Sequence, residues 1–521
     1  MALLTDRERD FATAVSHLAY VNPFLSERIE WERRALGGEH VPFDTVWHAG
    51  TGKVGENPNE LRIAERAETL AEAVRERLAK KDRATEAEVE LVQDLVAYVL
   101  FYRYQERLFL AGVGEGRSNF GFYADFAADC ERFSVPDSGT RPRLDAAHLF
   151  ACCYQVRRAF HYIFRSLIGG SMPSARLRAQ VWQSIFTHDL RRYQRSFYHR
   201  MGDVTTLITG PSGTGKELAA RAIALARYIP FDAGTHRFGE RPEESFFPLN
   251  LSALSPTLIE SELFGHRRGA FTGAVANRIG WLEVCPPLGT VFLDEIGDVD
   301  AAIQIKLLRV LETHTFQRLG DTRPQSFRGK VVAATHRDLT REMSAGRFRE
   351  DLYYRLCADR VETPSLAERI HDSPQELSDL VLFLAERQIG EESAPELARE
   401  VLAWIDLRLG RDYPWPGNVR ELAQCVSNVL IRHEYRPAVR RTAESPREAL
   451  AAEILSGRLS ADEVLNRYCT LVYAETGSYQ EAARRLRLDR RTIKARVDEG
   501  LLARLRQGSQ IHAREGPEMP P

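Results

Sequence analysis

A short apolar stretch that leads into a glycine-rich loop and then into a helical pattern constrains this chain more than any other feature. The stretch is Thr206–Thr209, the loop reads GPSGTGK over residues 210–216, and a helical pattern starts at Glu217. Glycines let backbone N–H groups curl around phosphate oxygens, and a helix N-terminus adds a positive dipole. The order therefore predicts an α/β nucleotide-binding core in which Lys216 reaches the β- and γ-phosphates.

The composition of the chain limits the classes of protein to which it can belong. A length of 521 residues predicts several domains, and a net charge of −2 excludes a wholly basic nucleic-acid coat but not a local basic module. The seven cysteines lack CxxC spacing, which favours a reducing compartment. The longest apolar run, 95–102, is far shorter than the ~20 residues that span a bilayer. We expect a cytoplasmic protein with no membrane association.

The fold class that these patterns predict is multidomain. A helical N-terminal domain precedes an α/β core with a parallel sheet, a helical lid and a C-terminal all-α module. A polar, Arg-rich linker precedes that module, and a Gly- and Pro-containing tail follows it, which we expect to be disordered. In chain order the predicted segments are 1–165, 166–368, 369–434, 435–460 for the linker, 461–507, and 508–521 for the tail.

Several other features permit more than one interpretation. His148 and Cys152 are four apart and could present a metal or redox pair, but the surrounding aromatic residues favour simple packing. The glycine-rich stretches 50–53 and 112–116 lack the spacing of nucleotide motifs, and we expect neither to bind phosphate. Two loops, 188–199 and 231–244, are longer than usual and have no functional interpretation from sequence.

Two carboxylates end a second apolar run. Asp294 and Glu295 directly follow residues 290–293, and ligands of parallel sheets lie at the carboxyl ends of their strands. We expect Asp294 to hold Mg²⁺, directly or through water, and Glu295 to polarise the attacking water as a general base. A solvated acidic strand end is the alternative.

The stretch ELFGHRRGAFTGA, residues 262–274, is too rich in glycine to propagate a helix and too polar for a core strand. It predicts a mobile loop that carries one exposed aromatic residue, Phe271, within a nucleotide-hydrolysis core. Such a loop suggests that ATP is used to move something.

The C-terminal sequence AARRLRLDRRTIKARV, residues 482–497, stands out as basic in a neutral chain. Two short helices around a turn at Leu488 and Asp489 predict a helix-turn-helix. A solvated basic helix is the alternative. The side chains that would face DNA are Arg490, Arg491, Thr492, Lys494 and Arg496.

Taken together, these motifs resemble those of sigma-54-dependent transcriptional activators, the bacterial enhancer-binding proteins, which are AAA+ ATPases with a Fis-type helix-turn-helix. The resemblance spans roughly residues 168–432, with the motifs in the expected order. It implies that ATP and Mg²⁺ are the cofactors. Glu217 stands where other nucleotide loops have Ser or Thr, as is usual in this family. The nucleotide-loop residues are Gly210, Pro211, Ser212, Gly213, Thr214, Gly215, Lys216 and Glu217.

The resemblance also implies roles for residues outside that loop. Asn250 matches the asparagine that restrains the catalytic glutamate, and His336 stands at the sensor I place. Arg349 and Arg355 fall at the arginine-finger places, which act on the nucleotide of a neighbouring subunit, and Arg420 matches sensor II in the lid. The loop that grips sigma-54, with Phe271 and Thr272 at its tip, comprises Gly269, Ala270, Phe271, Thr272, Gly273 and Ala274.

The implied function is ATP-driven activation of sigma-54 RNA polymerase holoenzyme from enhancer DNA by a ring, expected to be a hexamer. The N-terminal segment would be regulatory, and it lacks the pattern of a phosphate receiver. An AAA+ remodeller of another class, such as an unfoldase or chelatase, predicts neither the GAFTGA loop nor a DNA module. A nucleotide-binding repressor that does not hydrolyse ATP would be expected to lose Glu295, the finger arginines or the loop.

Overall fold

The computed structural model describes residues 3–42, 57–79, 84–113, 120–134, 145–437, 450, 453–454 and 459–502. Contacts divide the chain into two compact units, 1–435 and 436–521. The glycine stretch 50–53, most of the stretch 112–116, most of the predicted linker and the predicted tail lie outside the described residues.

Six helices form the N-terminal part of the first unit, as the three-to-four spacing of apolar residues predicts. The first begins with a capping box in which Thr5 and Glu8 satisfy each other's backbone N–H groups, and Asp145 caps the sixth. Their apolar faces meet in one aromatic-rich core. The helices are α1 (Asp6–Tyr20), α2 (Glu27–Leu36), α3 (Pro58–Ala79), α4 (Glu86–Val113), α5 (Tyr123–Phe133) and α6 (Ala146–Ser166).

A five-stranded parallel sheet follows, in the order β4-β5-β8-β1-β9. Its three central strands are almost wholly buried, as expected for a sheet covered on both faces. Four of the five strands were predicted; Asp359–Glu362 was not, because its sequence DRVE contains a single apolar residue. The strands are β1 (Thr206–Thr209), β4 (Phe246–Asn250), β5 (Thr290–Asp294), β8 (Lys330–Thr335) and β9 (Asp359–Glu362).

Two small hairpins are added to this core. Strands β2 (Phe231–Asp232) and β3 (Arg237–Phe238) pair antiparallel, as do β6 (Thr315–Gln317) and β7 (Pro324–Ser326). The first hairpin occupies the long loop 231–244. Its aromatic side chains, Phe231 and Phe238, pack within the N-terminal core against Phe120 and Phe150. That loop therefore joins the ATPase core to the N-terminal helices.

Helices flank the sheet and form the predicted lid. Between Gly169 and Ser344 these are α7 (Met172–Phe186), α8 (Leu190–Arg192), α9 (Lys216–Leu225), α10 (Pro256–Phe264), α11 (Trp281–Val284), α12 (Ala301–Thr313) and α13 (Leu339–Ser344). A short helix, α14 (Glu350–Leu356), precedes β9. The lid comprises α15 (Leu366–Asp372), α16 (Gln375–Ile389), α17 (Ala394–Arg408) and α18 (Asn418–Arg432), which share one apolar core.

The N-terminal helices contact the ATPase core directly. The guanidinium of Arg158, in α6, donates to the carbonyl oxygens of Leu225 and Arg227, both at 2.6 Å. The side chain of Gln155 donates to the carbonyl of Ala226 at 2.9 Å. The Leu225 and Ala226 carbonyls are among those that the end of α9 leaves without intrahelical partners, and Arg227 directly follows the helix cap. A helix of the predicted regulatory segment thus caps the helix that follows the nucleotide loop.

His148 and Cys152 have packing and hydrogen-bonding roles. The His148 ring nitrogens lie 2.8 Å from the Tyr228 hydroxyl and 2.7 Å from the carbonyl oxygen of Gln194, and Cys152 is a buried free thiol. Across the described parts of the chain, no group of three His, Cys, Asp or Glu side chains is placed to hold a metal. The structure therefore favours the packing interpretation.

Among its described residues the second unit includes the helices α19 (Ala461–Thr476), α20 (Tyr479–Leu486) and α21 (Arg490–Arg496), around a small core. The last two match the predicted helix-turn-helix, with Arg487 in the left-handed conformation at the turn. No helix within the described ranges is both long and apolar enough to cross a membrane.

Candidate nucleotide site and effector loop

The nucleotide loop is held in shape by close backbone contacts. Gly210 has a φ of 145°, and a Cβ there would lie 2.2 Å from the Thr363 hydroxyl. The same hydroxyl lies 2.6 Å from that of Thr214, which also bonds the carbonyl of Pro211 at 2.8 Å. Only glycine fits at position 210. Thr363, which follows β9, is a supporting residue that the sequence did not reveal.

The lid reaches the same loop. The Arg420 guanidinium donates to the Ser212 hydroxyl at 3.1 Å, and the Asn418 amide donates to the Ser212 carbonyl at 2.9 Å. Gly213 lies so close to the lid that a Cβ would meet the Gly417 carbonyl at 2.3 Å. Arg420, the predicted sensor II, is therefore next to the loop, and Asn418 is a second link that sequence reasoning missed.

Lys216 begins α9 and is mostly buried. Its Nζ donates to the carbonyls of Gly210 and Pro211 at 3.0 and 3.1 Å. Burial lowers the pKa of Lys216, while the carboxylates of Glu295 and Asp294 oppose that shift. The ammonium group thus lies in the field of both acidic residues, within the loop that is expected to hold phosphate.

The two carboxylates lie where β5 ends. Glu295 has a φ of 56°, an uncommon left-handed conformation for a non-glycine residue, which turns its side chain away from the strand direction. Its Oε2 accepts from the backbone N–H of His336 at 3.1 Å and lies 2.7 Å from the His336 Nδ1. The predicted base and the predicted sensor I residue are therefore in direct contact.

Asp294 is suited to a divalent cation. Burial and the adjacent negative charge of Glu295 raise the pKa of Asp294, so a cation there would stabilise its ionised form. Mg²⁺ in nucleotide sites is typically held by one or two carboxylates together with phosphate oxygens. The residues present fit that arrangement.

The side chain of Asn250 is hydrogen-bonded to Ser252 and not to Glu295. Asn250 pairs with Asp294 across neighbouring strands, and its side-chain oxygen accepts from the backbone N–H and the hydroxyl of Ser252 at 3.0 and 2.8 Å. The Glu295 carboxylate is hydrogen-bonded here to His336, and the role that the resemblance implies for Asn250 stays a prediction.

The loop, the carboxylates and the lid enclose a cleft of about 380 Å³. Its lining also includes Leu167 and Ile168, which directly follow the predicted boundary between segments 1–165 and 166–368. Gly169 follows them, with a φ of 135° and a Cβ position only 2.0 Å from the Glu376 carboxylate. Arg369, which lines the cleft, contacts that carboxylate and donates to the Ile168 carbonyl at 2.6 Å. The boundary segment is thus a wall of the site.

Among the described residues, those that line this cleft do not include the two predicted finger arginines. Arg349 forms a two-bond ion pair with Asp351, at 3.0 and 2.6 Å, on the protein surface. Arg355 is exposed, and its Nε donates to the Leu311 carbonyl at 3.1 Å. Both remain accessible to another molecule.

The GAFTGA loop projects from a stem in which His266 and Arg278 pair antiparallel. Gly269 and Gly273 have φ values of 81° and 101°, which turn the loop back on itself, and the Gly269 N–H donates to the Ala274 carbonyl at 2.8 Å. The expectation that Phe271 is exposed is corrected. Its ring packs edge-on against the buried His266 ring, at a centroid distance of 5.0 Å, so it is only partly exposed. The sequence missed this contact because it depends on how the loop folds back.

Two features beside the loop were also missed. Arg267 Nε donates to the Asp321 carboxylate at 2.8 Å, which ties the loop to the turn of the β6–β7 hairpin. Val275, just after the hexapeptide, is 83% exposed, and Ile279 is 57% exposed. Exposed aliphatic side chains near a loop tip extend the apolar surface that is available to a partner.

The predicted helix-turn-helix presents most of its predicted contact residues to solvent. Arg490, Arg491 and Lys494 are exposed on α21, while Ile493 is fully buried in the module core. Arg496 instead donates to Asp462 and Asn466 of α19 at 3.1 and 3.0 Å. It holds the last helix against the first.

Comparison with known proteins agrees with this geometry. Residues 187–362 match the model of the sigma-54 interaction domain. The transcriptional regulatory protein ZraR of Salmonella typhi is 39% identical over 306 residues, 57% of this chain and 63% of its own length. GlrR of Escherichia coli K12 is 42% identical over 245 residues, 46% of this chain and 50% of its own length.

The Nif-specific regulatory protein of Azotobacter vinelandii is 44% identical over 230 residues, 44% of this chain and 40% of its own length. The match to each of these three regulators thus covers less than two thirds of that regulator's length. The crystal structure of Brucella abortus NtrX with ADP has a TM-score of 0.38 and 23% identity, covering 72% of this chain and 80% of that one, too low a score to bear on function.

The nucleotide cleft, the paired carboxylates and the GAFTGA loop all lie in or next to the matched segment. Residues 187–362 are therefore a sigma-54 interaction domain, and the chain is a relative of the bacterial transcriptional regulators that carry this AAA+ ATPase.

Proposed function

We propose that the chain is an ATP-dependent activator of sigma-54 RNA polymerase in the bacterial cytoplasm, which binds enhancer DNA and remodels the closed promoter complex. One observation carries the proposal. A cleft with a nucleotide loop and a catalytic carboxylate pair shares its domain with an intact GAFTGA loop whose Thr272 and Val275 are exposed. An ATPase of another class has no need of that loop.

The hydrolysis chemistry follows from the positions of the side chains. Lys216 neutralises charge on the β- and γ-phosphates once they displace its bonds to Gly210 and Pro211. Glu295 orients a water molecule and accepts its proton, with His336 fixing the direction of the carboxylate. Mg²⁺ at Asp294 would neutralise phosphate charge. These residues occur within one protomer.

The remaining positive charge would come from a neighbouring protomer. Arg349 and Arg355 are surface residues away from their own cleft, and a guanidinium stabilises phosphoryl-transfer charge strongly when it is supplied from another subunit. We infer a ring, expected to be a hexamer, in which each nucleotide lies beside a neighbour's finger. ATPase activity then depends on assembly.

The effector loop would act by releasing Phe271 from His266. In the folded-back state the ring is partly covered, so burying it in sigma-54 contributes less than the about 1.5–3 kcal/mol expected for a fully exposed phenylalanine. A nucleotide state that raises the loop would exchange one contact for the other and so bias the promoter complex. The exposed Val275 extends the contact surface.

DNA binding would use the exposed side chains of α21. Arg490, Arg491, Thr492 and Lys494 lie toward the start of the helix that enters the major groove in this type of module. Arg496 supports them by holding α21 against α19. Replacing Lys494 with Ala would lower enhancer affinity and its salt dependence.

The deciding experiment is Thr272→Ala in the full chain. We expect ATP turnover within twofold of the parent and loss of open-complex formation on a sigma-54 promoter. The matched control is Thr322→Ala, an exposed threonine in the neighbouring β6–β7 turn, which should retain both activities. Open-complex formation at the parental level by Thr272→Ala would refute the proposal.

A further inference from the structure

A second cavity lies at the opposite end of the central sheet from the nucleotide cleft. It has a volume of about 260 Å³. Its floor includes Lys330, the first residue of β8, and Leu288, just before β5. One wall is formed by the long loop 188–199 and the residues that follow it, and another by the segment that leaves α9. The loop for which the sequence offered no function therefore builds a cavity.

Two cationic side chains meet in this cavity. Lys330 is 2% exposed, and its Nζ donates to the carbonyls of Val204 and, at 3.4 Å, Met201. Arg227 donates to the Gly289 carbonyl, and it also lines the cavity. Within the described residues neither forms a salt bridge with a carboxylate. Lys330 is buried and Arg227 is partly exposed, and two neighbouring cationic side chains without a salt bridge favour an anion between them.

Asp359 acts electrostatically on Lys330, and Glu240 and Asp203 act on Arg227, but within the described residues none of these carboxylates forms a salt bridge with either cation. Asp359 is the carboxylate that most strongly affects Lys330, but its Oδ2 already accepts from the hydroxyls of Ser184 and Thr206. Burial lowers the pKa of Lys330 to about 7, and the positive charge of Arg227 adds to that effect. The protein itself therefore compensates a charged Lys330 only in part, and an anion beside it would favour the charged form.

The walls of the cavity are aromatic and aliphatic. They include Tyr193, Tyr198 and Tyr228, together with Ile185 and Ile223. The hydroxyl of Tyr193 is bonded to Gln155, and that of Tyr228 lies 2.8 Å from His148, so their rings rather than their hydroxyls face a ligand. Such walls suit a flat apolar group.

We propose that this cavity binds a small aromatic carboxylate, with the carboxylate between Lys330 and Arg227 and the ring against the tyrosines. A cavity of about 150 Å³ is enough to admit benzene. The larger volume here leaves room for the carboxylate.

The position of the cavity would allow a bound ligand to affect ATP hydrolysis. The backbone carbonyl of Arg227 is bonded by Arg158 of the N-terminal helices, and the same segment leads back into α9 and the nucleotide loop. A ligand that holds the Arg227 side chain therefore acts on the junction between the regulatory helices and the nucleotide site. Binding itself does not depend on the function proposed above.

The test is isothermal titration calorimetry of the full chain with sodium benzoate, benzyl alcohol and sodium acetate. We expect benzoate to bind at least tenfold more tightly than either benzyl alcohol, which lacks the charge, or acetate, which lacks the ring. Binding should be unchanged when the nucleotide cleft is saturated with ADP. Benzoate that binds no better than benzyl alcohol, or that ADP displaces, would overturn the proposal.

Two glycine positions provide a test variant and its matched control. A Cβ at Gly202, which lines the cavity, would meet only the tip of the Arg227 side chain, at 2.8 Å, whereas nothing lies within 4 Å of a Cβ at Gly239. Gly202→Leu should weaken benzoate binding at least tenfold, and Gly239→Leu should leave it unchanged. Equal affinity in both variants would contradict the assignment.

Lys330→Met tests the charge and should weaken benzoate at least tenfold while leaving the weak binding of benzyl alcohol unchanged. The lysine also bonds two carbonyls, so this variant is first checked for a parental circular dichroism spectrum. If it does not fold, the Gly202→Leu result decides alone.

Discussion

The Nδ1 atom of His336 lies 2.7 Å from Oε2 of Glu295, and the His336 backbone N–H donates to the same oxygen at 3.1 Å. The first residue after β8 thus holds the first residue after β5, two strands that are neighbours in the sheet. The contact joins the residue expected to activate water to the residue expected to detect the γ-phosphate. We propose that, through this contact, a bound nucleotide reorients the base.

This contact predicts that His336 and Glu295 act as one unit. Glu295→Gln should lower kcat for ATP about 10²–10⁴-fold with little change in nucleotide affinity, because a general base is lost. His336→Ala should lower kcat about tenfold in the parent but not in the Glu295→Gln background, since it acts through that carboxylate. Single-turnover ATPase assays measure both effects.

The control for charge is Glu312→Gln, on the exposed surface of α12, which should have parental activity. Additive losses in the double variant would show that His336 acts independently of Glu295.

The surface position of the finger arginines predicts complementation between inactive subunits. Lys216→Ala cannot bind nucleotide productively, and Arg355→Ala lacks a finger, so each alone should be nearly inactive. In an equal mixture, a Lys216→Ala subunit can supply its finger to the nucleotide of an Arg355→Ala neighbour. Random assembly makes roughly a quarter of the head-to-tail interfaces competent. Specific activity on mixing measures this, and a mixture as inactive as its components would argue against fingers supplied in trans.

The cap on α9 predicts that Arg158 stabilises the junction between the N-terminal helices and the ATPase core. Arg158→Met keeps the length of the side chain but leaves the carbonyls of Leu225 and Arg227 without this buried donor. We expect a loss of about 2–4 kcal/mol in the free energy of unfolding. Urea denaturation followed by circular dichroism gives the value.

Arg165→Met, on the exposed side of the same helix, is the matched control and should change stability by less than about 0.5 kcal/mol. A similar small change in Arg158→Met would mean that the capping bonds add no stability.

The Glu8–Arg77 pair predicts a pH dependence of stability. Two hydrogen bonds from Arg77, each 2.8 Å, lower the pKa of Glu8 to about 2 from an ordinary 4.5. A carboxylate with a depressed folded pKa contributes stability above its unfolded pKa and loses it as pH falls toward the folded one. Glu8→Gln should therefore cost about 2 kcal/mol at pH 6, and the difference from the parent should shrink steadily below pH 4.5.

Thermal unfolding of both proteins from pH 6 to pH 3 checks this prediction. Glu65→Gln, an exposed residue of α3, should show no such trend. A difference between Glu8→Gln and the parent that stays constant over this range would contradict the assignment.

Much of the candidate site could be predicted from sequence because its signals are local. A strand, a glycine loop and a helix are adjacent along the chain at residues 206–225, and the position of Glu295 follows from an apolar run that ends in acidic residues. The GAFTGA loop was recognisable from six consecutive residues. The fifth strand was missed because its stability comes from pairing with β1, not from its own composition.

The sequence by itself therefore determined the element types and the identity of the chemical groups, since helix periodicity, glycine turns and strand-end carboxylates are properties of neighbouring residues. Only the tertiary structure decided what those groups contact. His336 bonds Glu295, Phe271 folds onto His266, and Arg158 donates to carbonyls 67 and 69 residues away in sequence. Such contacts depend on which surfaces meet when the helices pack on the sheet, and no short stretch of sequence encodes that choice.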